Sequence, residues 1–455
     1  MDIPEGVERI LAQLRIPNSK LEEIRDAMAR EFTLGLEVDG PAATVPMITS
    51  FVPALPDGSE QGKYLSLDLS GKNLRVMLLN LTGRNEEPQV ISQDFWVHQD
   101  VMTGTGEQLF NFIVNKLAKF LEEHNVLEAG LPLGFVFSYP VEMKGIRSAK
   151  LRNWTKGFNV PDCLNQDVGR MLEEGLQRHG KIKVKVNAIM NDTVGQLAAA
   201  SYRYGPDCQM GVVVGYGCNA AYLEDVANIK KFNAENFGYK FPKMIIDTEW
   251  EEFGAHGELN SIMTQFDKEI DENSVHKGKQ IIDKLTGAFF LGDLVRRILD
   301  HLAVDNILFG GSRPEFLATP DAFPSKFIPE ILSDEETGTV PFKNIRRIMD
   351  ELHVPVHGTL DYMATKEICR AVSLRSASIA AAAISALMKV MNRPKIIVGV
   401  GGALIQYHPT YHAMLKDKLN ELVPPAVVEW DIVPAENGSG KGAALIAATA
   451  ENLKL

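Results

Sequence analysis

Several short stretches carry residues whose types and spacing could do chemistry on a phosphate or a hydroxyl. In "LSLDLSGKNLRV", Leu65 to Val76, two apolar-rich runs flank a glycine turn, the pattern of a hairpin that can hold a phosphate, and Lys72 sits in that turn. In "NAIMNDTVG", Asn187 to Gly195, an apolar strand-like run is followed by Asp192, the placement of a strand-end carboxylate facing a cleft. Standing alone before Thr-Val-Gly, the same aspartate reads as a helix N-cap. A second glycine hairpin, "MGVVVGYGCNAAYLED", spans Met210 to Asp225, and Gly438-Ser-Gly-Lys-Gly442 closes the set. That last string is no Walker A loop, because Ala435 stands where the first glycine belongs and Gly442 where Ser or Thr should hold Mg²⁺.

The elements that must position these residues alternate. Val7, Ile10, Leu11 and Leu14 keep helical spacing up to Pro17, and Ser19 with Glu22 has the form of a capping box before Leu21, Ile24 and Met28. Strands are expected at 63–70 and 73–81, a helix near 106–123, a strand over "LPLGFVFSYP", a helix near 165–179, and a strand at "VKVNAIMND". After the second hairpin come a helical stretch around 278–303, an irregular segment near 305–345, an Ala-rich helix and the strand "KIIVGVGGALI". Alternation of this kind is the grammar of an α/β fold, and two sheets each opened by a glycine-turn hairpin suggest an internal duplication.

Bulk properties narrow the function classes. With 455 residues, 45% hydrophobic and 23% charged, the chain reads as an ordinary soluble globular protein of two to three lobes. A net charge of -12 speaks against a general nucleic-acid or anionic-membrane surface, so any phosphate site is local. Cys163, Cys208, Cys218 and Cys369 are scattered without a CxxC, which suggests neither a zinc knuckle nor a disulfide scaffold. "MDIPEGVERI" has no apolar core of a signal peptide, and "SASIAAAAISALM", between Arg375 and Lys389, is too short to span a bilayer and reads as a buried small-residue helix. The sequons at Asn153 and Asn191 are read as chance matches.

The blocks "LPLGFVFSYP", "LRNWTKGFNV", "NAIMNDTVGQL", "DTEWEEFG", "TGAFFLGDLVR" and "AENGSGKGAALIAA" resemble, in order and spacing, those of eukaryotic hexokinases, most closely the single-unit enzymes of invertebrate animals. The resemblance covers essentially the whole chain. It implies an actin-like ATPase (ribonuclease-H-like) α/β fold of two lobes around a cleft: residues 63–191 with 441–455 as the small lobe, residues 1–62 and 192–440 as the large one. It implies a sugar at the cleft bottom, with closure excluding water so that transfer to the C6 hydroxyl wins over hydrolysis.

On the sugar side the resemblance makes Asp192 the catalytic base and Ser138, Thr155, Lys156, Asn191, Asn219 and Glu249 the hexose contacts, with Lys156 and Arg75 also catalytic. Gln280 and Asp283 occupy the place of the family's Gln and Glu, so one contact is shorter by a methylene. On the nucleotide side the family pattern Asp-Leu-Gly-Gly-Thr-Asn-x-Arg is here Asp68-Leu69-Ser70-Gly71-Lys72-Asn73-Leu74-Arg75. The second turn, normally Gly-Thr-Gly, is Gly215-Tyr216-Gly217, and the third, normally Asp-Gly-Ser, is Gly401-Gly402-Ala403. Each has lost a small hydroxyl donor. Gly438 and Ser439 lie in the block that matches the family's adenosine-side turn, and Asp68 is placed near Mg²⁺, through water.

Lys72 has two opposed readings: an ammonium that compensates beside the triphosphate, or a partner for Asp68 that displaces the metal. Tyr216 is expected to fill volume a phosphate needs. The expected ligands are a hexose and Mg-ATP, in a cytoplasmic monomer without nucleic-acid or membrane partners. A weakly catalytic sugar sensor is the alternative, motivated by intact sugar contacts beside eroded phosphate loops. Another actin-like ATPase, such as a chaperone nucleotide domain, gives no reason for "LRNWTKGF" or "TEWEEF".

Overall fold

The structure is a computed structural model, and it describes residues 3–455 apart from Pro41, Asn85, Lys156, Gly338, Pro425, Glu436 and Asn437. Among the described residues the strands are β1 (Ile48–Thr49), β2 (Gln61–Ser70), β3 (Asn73–Thr82), β4 (Gln89–Trp96), β5 (Leu131–Phe137), β6 (Val141–Gly145), β7 (Ser148–Leu151), β8 (Val184–Met190), β9 (Cys208–Val214), β10 (Cys218–Asp225), β11 (Lys243–Asp247), β12 (Lys395–Gly401) and β13 (Glu429–Pro434). One sheet runs β4-β3-β2-β5-β8 and the other β1-β11-β10-β9-β12-β13. In both, three antiparallel strands are followed by two parallel ones, and leaving out the short edge strand β1 the orders are the same. The duplication suggested by the glycine hairpins is therefore present in topology.

Strand alternation explains what each face carries. Leu65, Leu67 and Leu69 of β2 pack with Leu109, Phe110 and Ile113 of the helix Gly106–Glu123, while Tyr64 packs with Ala444 and Leu445 of the C-terminal helix Gly438–Asn452. Asp68 shares parity with Tyr64 and so looks toward that C-terminal helix. The helix Asp192–Tyr204 lies between the lobes, and its Gly195 meets Gly442 so closely that a Cβ on Gly442 would sit 1.6 Å from the Gly195 carbonyl oxygen. Backbone-to-backbone approach of that kind requires glycine. Asn187 Nδ2 donating to the Ala447 carbonyl (3.1 Å) and Gln196 Nε2 to that of Ala435 (2.6 Å) lock the same junction.

Four expectations need correction. The capping box at Ser19 is not formed: the helix Asn18–Glu37 starts directly after extended Pro17 without a side-chain cap bond, leaving Ser19 inside its first turn. The Ala-rich segment is part of a longer helix, Thr359–Met391, and Arg375 does not flank it in solvent but is buried, bidentate to Asp267 (2.7 and 2.6 Å). Among the described residues this is the one helix long and apolar enough to cross a membrane, and its apolar stretch is buried in the larger core. The segment 305–345 contains the short helices Glu315–Ala318 and Phe327–Leu332 and the start of Lys343–Glu351. Finally, β4 was not foreseen, because its burial follows no regular alternation at the sheet edge.

Candidate active site

Asp192 stands at the first position of its helix, directly after β8. It is not the cap. Asn191 fills that role, its Oδ1 accepting from Thr193 N at 3.1 Å, so the Asp192 carboxylate is spared for the cleft while the helix N-terminus favours its charge. Asn191 Nδ2 donates to Glu249 Oε1 (3.2 Å), and Asn219 Nδ2, at the start of β10, donates to both Glu249 Oε1 (3.3 Å) and Asp247 Oδ1 (3.0 Å). Thr193 Oγ1 reaches Asp247 Oδ1 at 3.1 Å, and Thr248 Oγ1 reaches Asn219 Oδ1 at 3.0 Å.

Glu249 is aimed into this network by a left-handed backbone (φ 52°), a conformation that costs energy in a non-glycine residue and is held here by its surroundings. Asp247, Glu249 and Glu251 all have carboxyl pKa values raised well above the usual range, in each case chiefly by burial. Next in order come the charge of Glu249 for Asp247, of Glu251 for Glu249 and of Asp283 for Glu251. Asp247 and Glu251 were missed from sequence, although their signal was present: carboxylates at 247, 249 and 251 alternate through "DTEWEEFG".

The other expected sugar contacts are distributed around this floor. Ser138, buried after β5, has its Oγ 3.4 Å from Ser70 Oγ. Thr155 belongs to a loop steadied by Trp154, which stacks on Phe158 (5.4 Å), meets Tyr139 edge-on (4.9 Å) and donates Nε1 to the Val160 carbonyl (2.8 Å). Lys156 lies outside the described residues. Gln280 is also left-handed (φ 52°) and donates to Glu252 Oε1 at 3.4 Å. One oxygen of Asp283 accepts from Cys218 N (2.8 Å), so this side chain also supports the second glycine turn.

On the nucleotide side Asp68 is 7% exposed and takes hydroxyl donors from Ser70 (2.5 Å) and Ser439 (2.9 Å). Burial raises its pKa, the two hydroxyls oppose that, and the charge of Asp192 adds to it. Asp192 is thus the common neighbour of Asp68 and the sugar-side carboxyls. In the β2–β3 turn, Gly71 takes φ 60° with open space beside it, so the backbone conformation requires the glycine. Asn73 is exposed at the start of β3.

Lys72 lies over the Trp96 ring, 5.9 Å from its centroid, and makes no ion pair with Asp68 among the described residues; the metal-displacing reading is not the arrangement seen. Arg75 is bidentate to its cross-strand partner Asp94 (2.6 and 3.1 Å), which fixes the guanidinium and raises its pKa.

The second turn is set by crowding. A Cβ on Gly217 would meet Asp283 Oδ2 at 2.3 Å, and one on Gly287 would meet the Tyr216 carbonyl oxygen at 2.1 Å. Ala288 N donates to the Gly215 carbonyl at 2.8 Å. Tyr216 is 79% exposed and leans toward Phe289 (6.4 Å). The third turn adjoins the second, a Cβ on Gly402 (φ 101°) falling 2.5 Å from the Val214 carbonyl oxygen and one on Gly215 lying 3.6 Å from Ala403 N. Gly438 and Ser439 are not in a turn but open the C-terminal helix, with Gly438 pressed on Gln196, because this helix must approach its neighbour at backbone distance.

Comparison with known proteins agrees with this geometry. Two family models described as hexokinase match residues 6–202 and 209–449. The chain is 40% identical to a hexokinase of Brugia malayi, covering 99% of this chain and 78% of that one, and 35% identical to one of Schistosoma mansoni, covering 98% and 97%. It is 37% identical to the mouse protein Hexokinase HKDC1, of which it spans about half the length (48%). A solved structure of the Schistosoma mansoni hexokinase complexed with glucose superposes with a TM-score of 0.86 at 35% identity, covering 98% of each chain. The chain belongs to the hexokinase family.

Proposed function

We propose that the chain transfers the γ-phosphoryl group of ATP to the C6 hydroxyl of glucose or a similar hexose. The observation that carries this reading is the placement of Asp192. A carboxylate at a helix N-terminus, relieved of capping by Asn191, stands between a ring of donors and acceptors suited to sugar hydroxyls and a buried aspartate flanked by glycine turns.

In this scheme Asn191, Asn219 and Glu249 fix the sugar, and Asp192 accepts the proton of the C6 hydroxyl as it becomes a nucleophile. Arg75, oriented by Asp94, supplies positive charge near the phosphate turn. A divalent cation fits beside Asp68, whose charge and that of Asp192 oppose one another with no cation paired to either among the described residues. Mg²⁺ bound there would neutralise triphosphate charge. Ser70 and Ser439 would orient the Asp68 carboxylate for it.

The sensor reading is favoured by the hydroxyl-poor turns Gly215–Gly217 and Gly401–Ala403, but one of its supports has weakened, since Lys72 makes no ion pair with Asp68 among the described residues. The deciding experiment is sugar 6-phosphate formation from glucose and Mg-ATP by the purified protein beside Asp192→Ala. Turnover lost in the variant supports the kinase; glucose binding without turnover in either protein supports the sensor.

A further inference from the structure

Beyond Asp192 and the sugar contacts, the cleft floor contains carboxyl groups to which the phosphoryl-transfer scheme assigns nothing. Asp247 ends β11, where Thr248 N donates to the Ala220 carbonyl at 2.9 Å and fixes its register against β10. The left-handed residue Glu249 then turns the chain into the short turn Trp250–Glu252, which brings Glu251 back toward the same floor.

We infer that Asp247, Glu249 and Glu251 form a series of neighbouring carboxyl groups, in which Asp247 is a positioning residue that pins the residue after Asp192 and the sugar contact Asn219, while Glu249 pins the residue before it. The pinning is visible. Asp247 Oδ1 accepts from Thr193, the residue after Asp192, and from Asn219, while Glu249 Oε1 accepts from Asn219 and from Asn191, the residue before Asp192. Asp247 is buried at 4% exposure, and Glu251 Oε2 is a buried oxygen with no partner of its own.

Asn219 Nδ2 donates to both Asp247 Oδ1 (3.0 Å) and Glu249 Oε1 (3.3 Å), so these two carboxyl groups lie side by side. Burial and the neighbouring acidic charges raise the pKa of all three well above the usual carboxylate range, which favours their protonated forms. The charged groups facing the series are Asp192 from its helix and Asp283 from beneath the second turn, both acidic, which favours retention of those protons. Lys156 is outside the described residues. Loss of these protons at alkaline pH would set the Asp247 and Glu249 carboxylates, side by side on Asn219, against each other and loosen Asn219 and Asn191 together.

This inference rests on the hexokinase reading and makes a separate test. Glucose binding by tryptophan fluorescence, together with KM for glucose and kcat, would be measured from neutral to alkaline pH on the wild type, Asp247→Ala and Asp247→Asn. The alanine variant is expected to raise KM for glucose about ten-fold or more and to lower kcat, since it frees Asn219 and Thr193, the residue after the base. Asn at this position keeps an acceptor for Thr193 and Asn219 and offers Glu249 an N–H that does not titrate, so it should recover most of the loss and flatten the alkaline rise in KM.

Kinetic constants of Asp247→Ala within two-fold of the wild type, or an alkaline limb in Asp247→Asn identical to the wild type, would overturn the inference while leaving the kinase reading intact. If the alanine variant does not fold, the alkaline limb of the asparagine variant decides alone. A wild type that neither binds nor phosphorylates glucose would overturn both.

Discussion

The two sheets share a strand order yet hold their cleft-facing turns by different means. In the first, the β2–β3 turn has open space around Gly71, and what surrounds Asp68 is polar: hydroxyls of Ser70 and Ser439, with the Arg75–Asp94 pair on the next strands. In the second, the β9–β10 turn is wedged by close contact, with Gly217 on the Asp283 carboxylate, Gly287 on the Tyr216 carbonyl and Gly402 on the backbone at the end of β9. One topology can thus present a ligand-facing turn through side-chain hydrogen bonds or through steric closure, and the two should fail under different substitutions.

The largest expected effect lies between the sheets. Asp192→Ala should lower kcat by about 10²–10⁴-fold with the fold intact; a fall of less than about ten-fold in a steady-state assay would remove the base from Asp192.

Opposite pH signatures come next. Burial lowers the pKa of His408 to about 4 in the second lobe, where Nδ1 accepts from Thr410 N (3.2 Å) and the ring bonds Ser373 through Nε2 (3.0 Å). A histidine with a depressed folded pKa contributes stability that is present above its ordinary value near 6.5 and is lost as pH falls from there through about 4. The loss reaches about 3 kcal/mol and should be reduced in His408→Gln. Asp68, in the first lobe, has a raised pKa, so its contribution is instead lost as pH rises above the ordinary carboxylate range. Hydrogen exchange read separately on the two lobes across pH would show the contrast, and parallel curves would dissolve it.

Substitutions at the turns test the contrast in volume. Gly287→Ala places a Cβ 2.1 Å from the Tyr216 carbonyl and should cost about 1–3 kcal/mol and displace the second turn, raising KM for ATP. Gly71→Ala meets nothing within 4 Å and should cost only the left-handed backbone, about 1–2 kcal/mol, in denaturant melts. The smallest effect belongs to Tyr216→Thr: with the ring 79% exposed, stability should stay within about 0.5 kcal/mol, so any change in kcat reports the restored hydroxyl donor.

The contrast also explains which residues were legible beforehand. Asp192, Asn191, Asn219 and Glu249 lie in ordered blocks of the sequence, and the structure brings them together at one cleft floor. The helix Gly106–Glu123 was equally plain, because its Thr105–Gln108 capping box and apolar spacing are local signals. That Asp283 also holds the Cys218 amide was not legible, because that turn lies 65 residues away in the chain. In three dimensions Gly438 and Gly442 of "GSGKG" meet Gln196 and Gly195 of the neighbouring helix, while Gly440 faces Met77 of β3.

By itself the sequence determined the α/β alternation, the two glycine hairpins and the acidic end of β8, since apolar periodicity and turn chemistry act over a few residues. Tertiary structure alone decided that Asn191 rather than Asp192 caps the helix, that Lys72 rests on Trp96 rather than Asp68, and that a buried Asp247 and a half-buried Glu249 converge on Asn219. Each of those outcomes turns on contacts between segments distant in the chain, and on burial that makes a carboxyl group keep a proton it would give up in water.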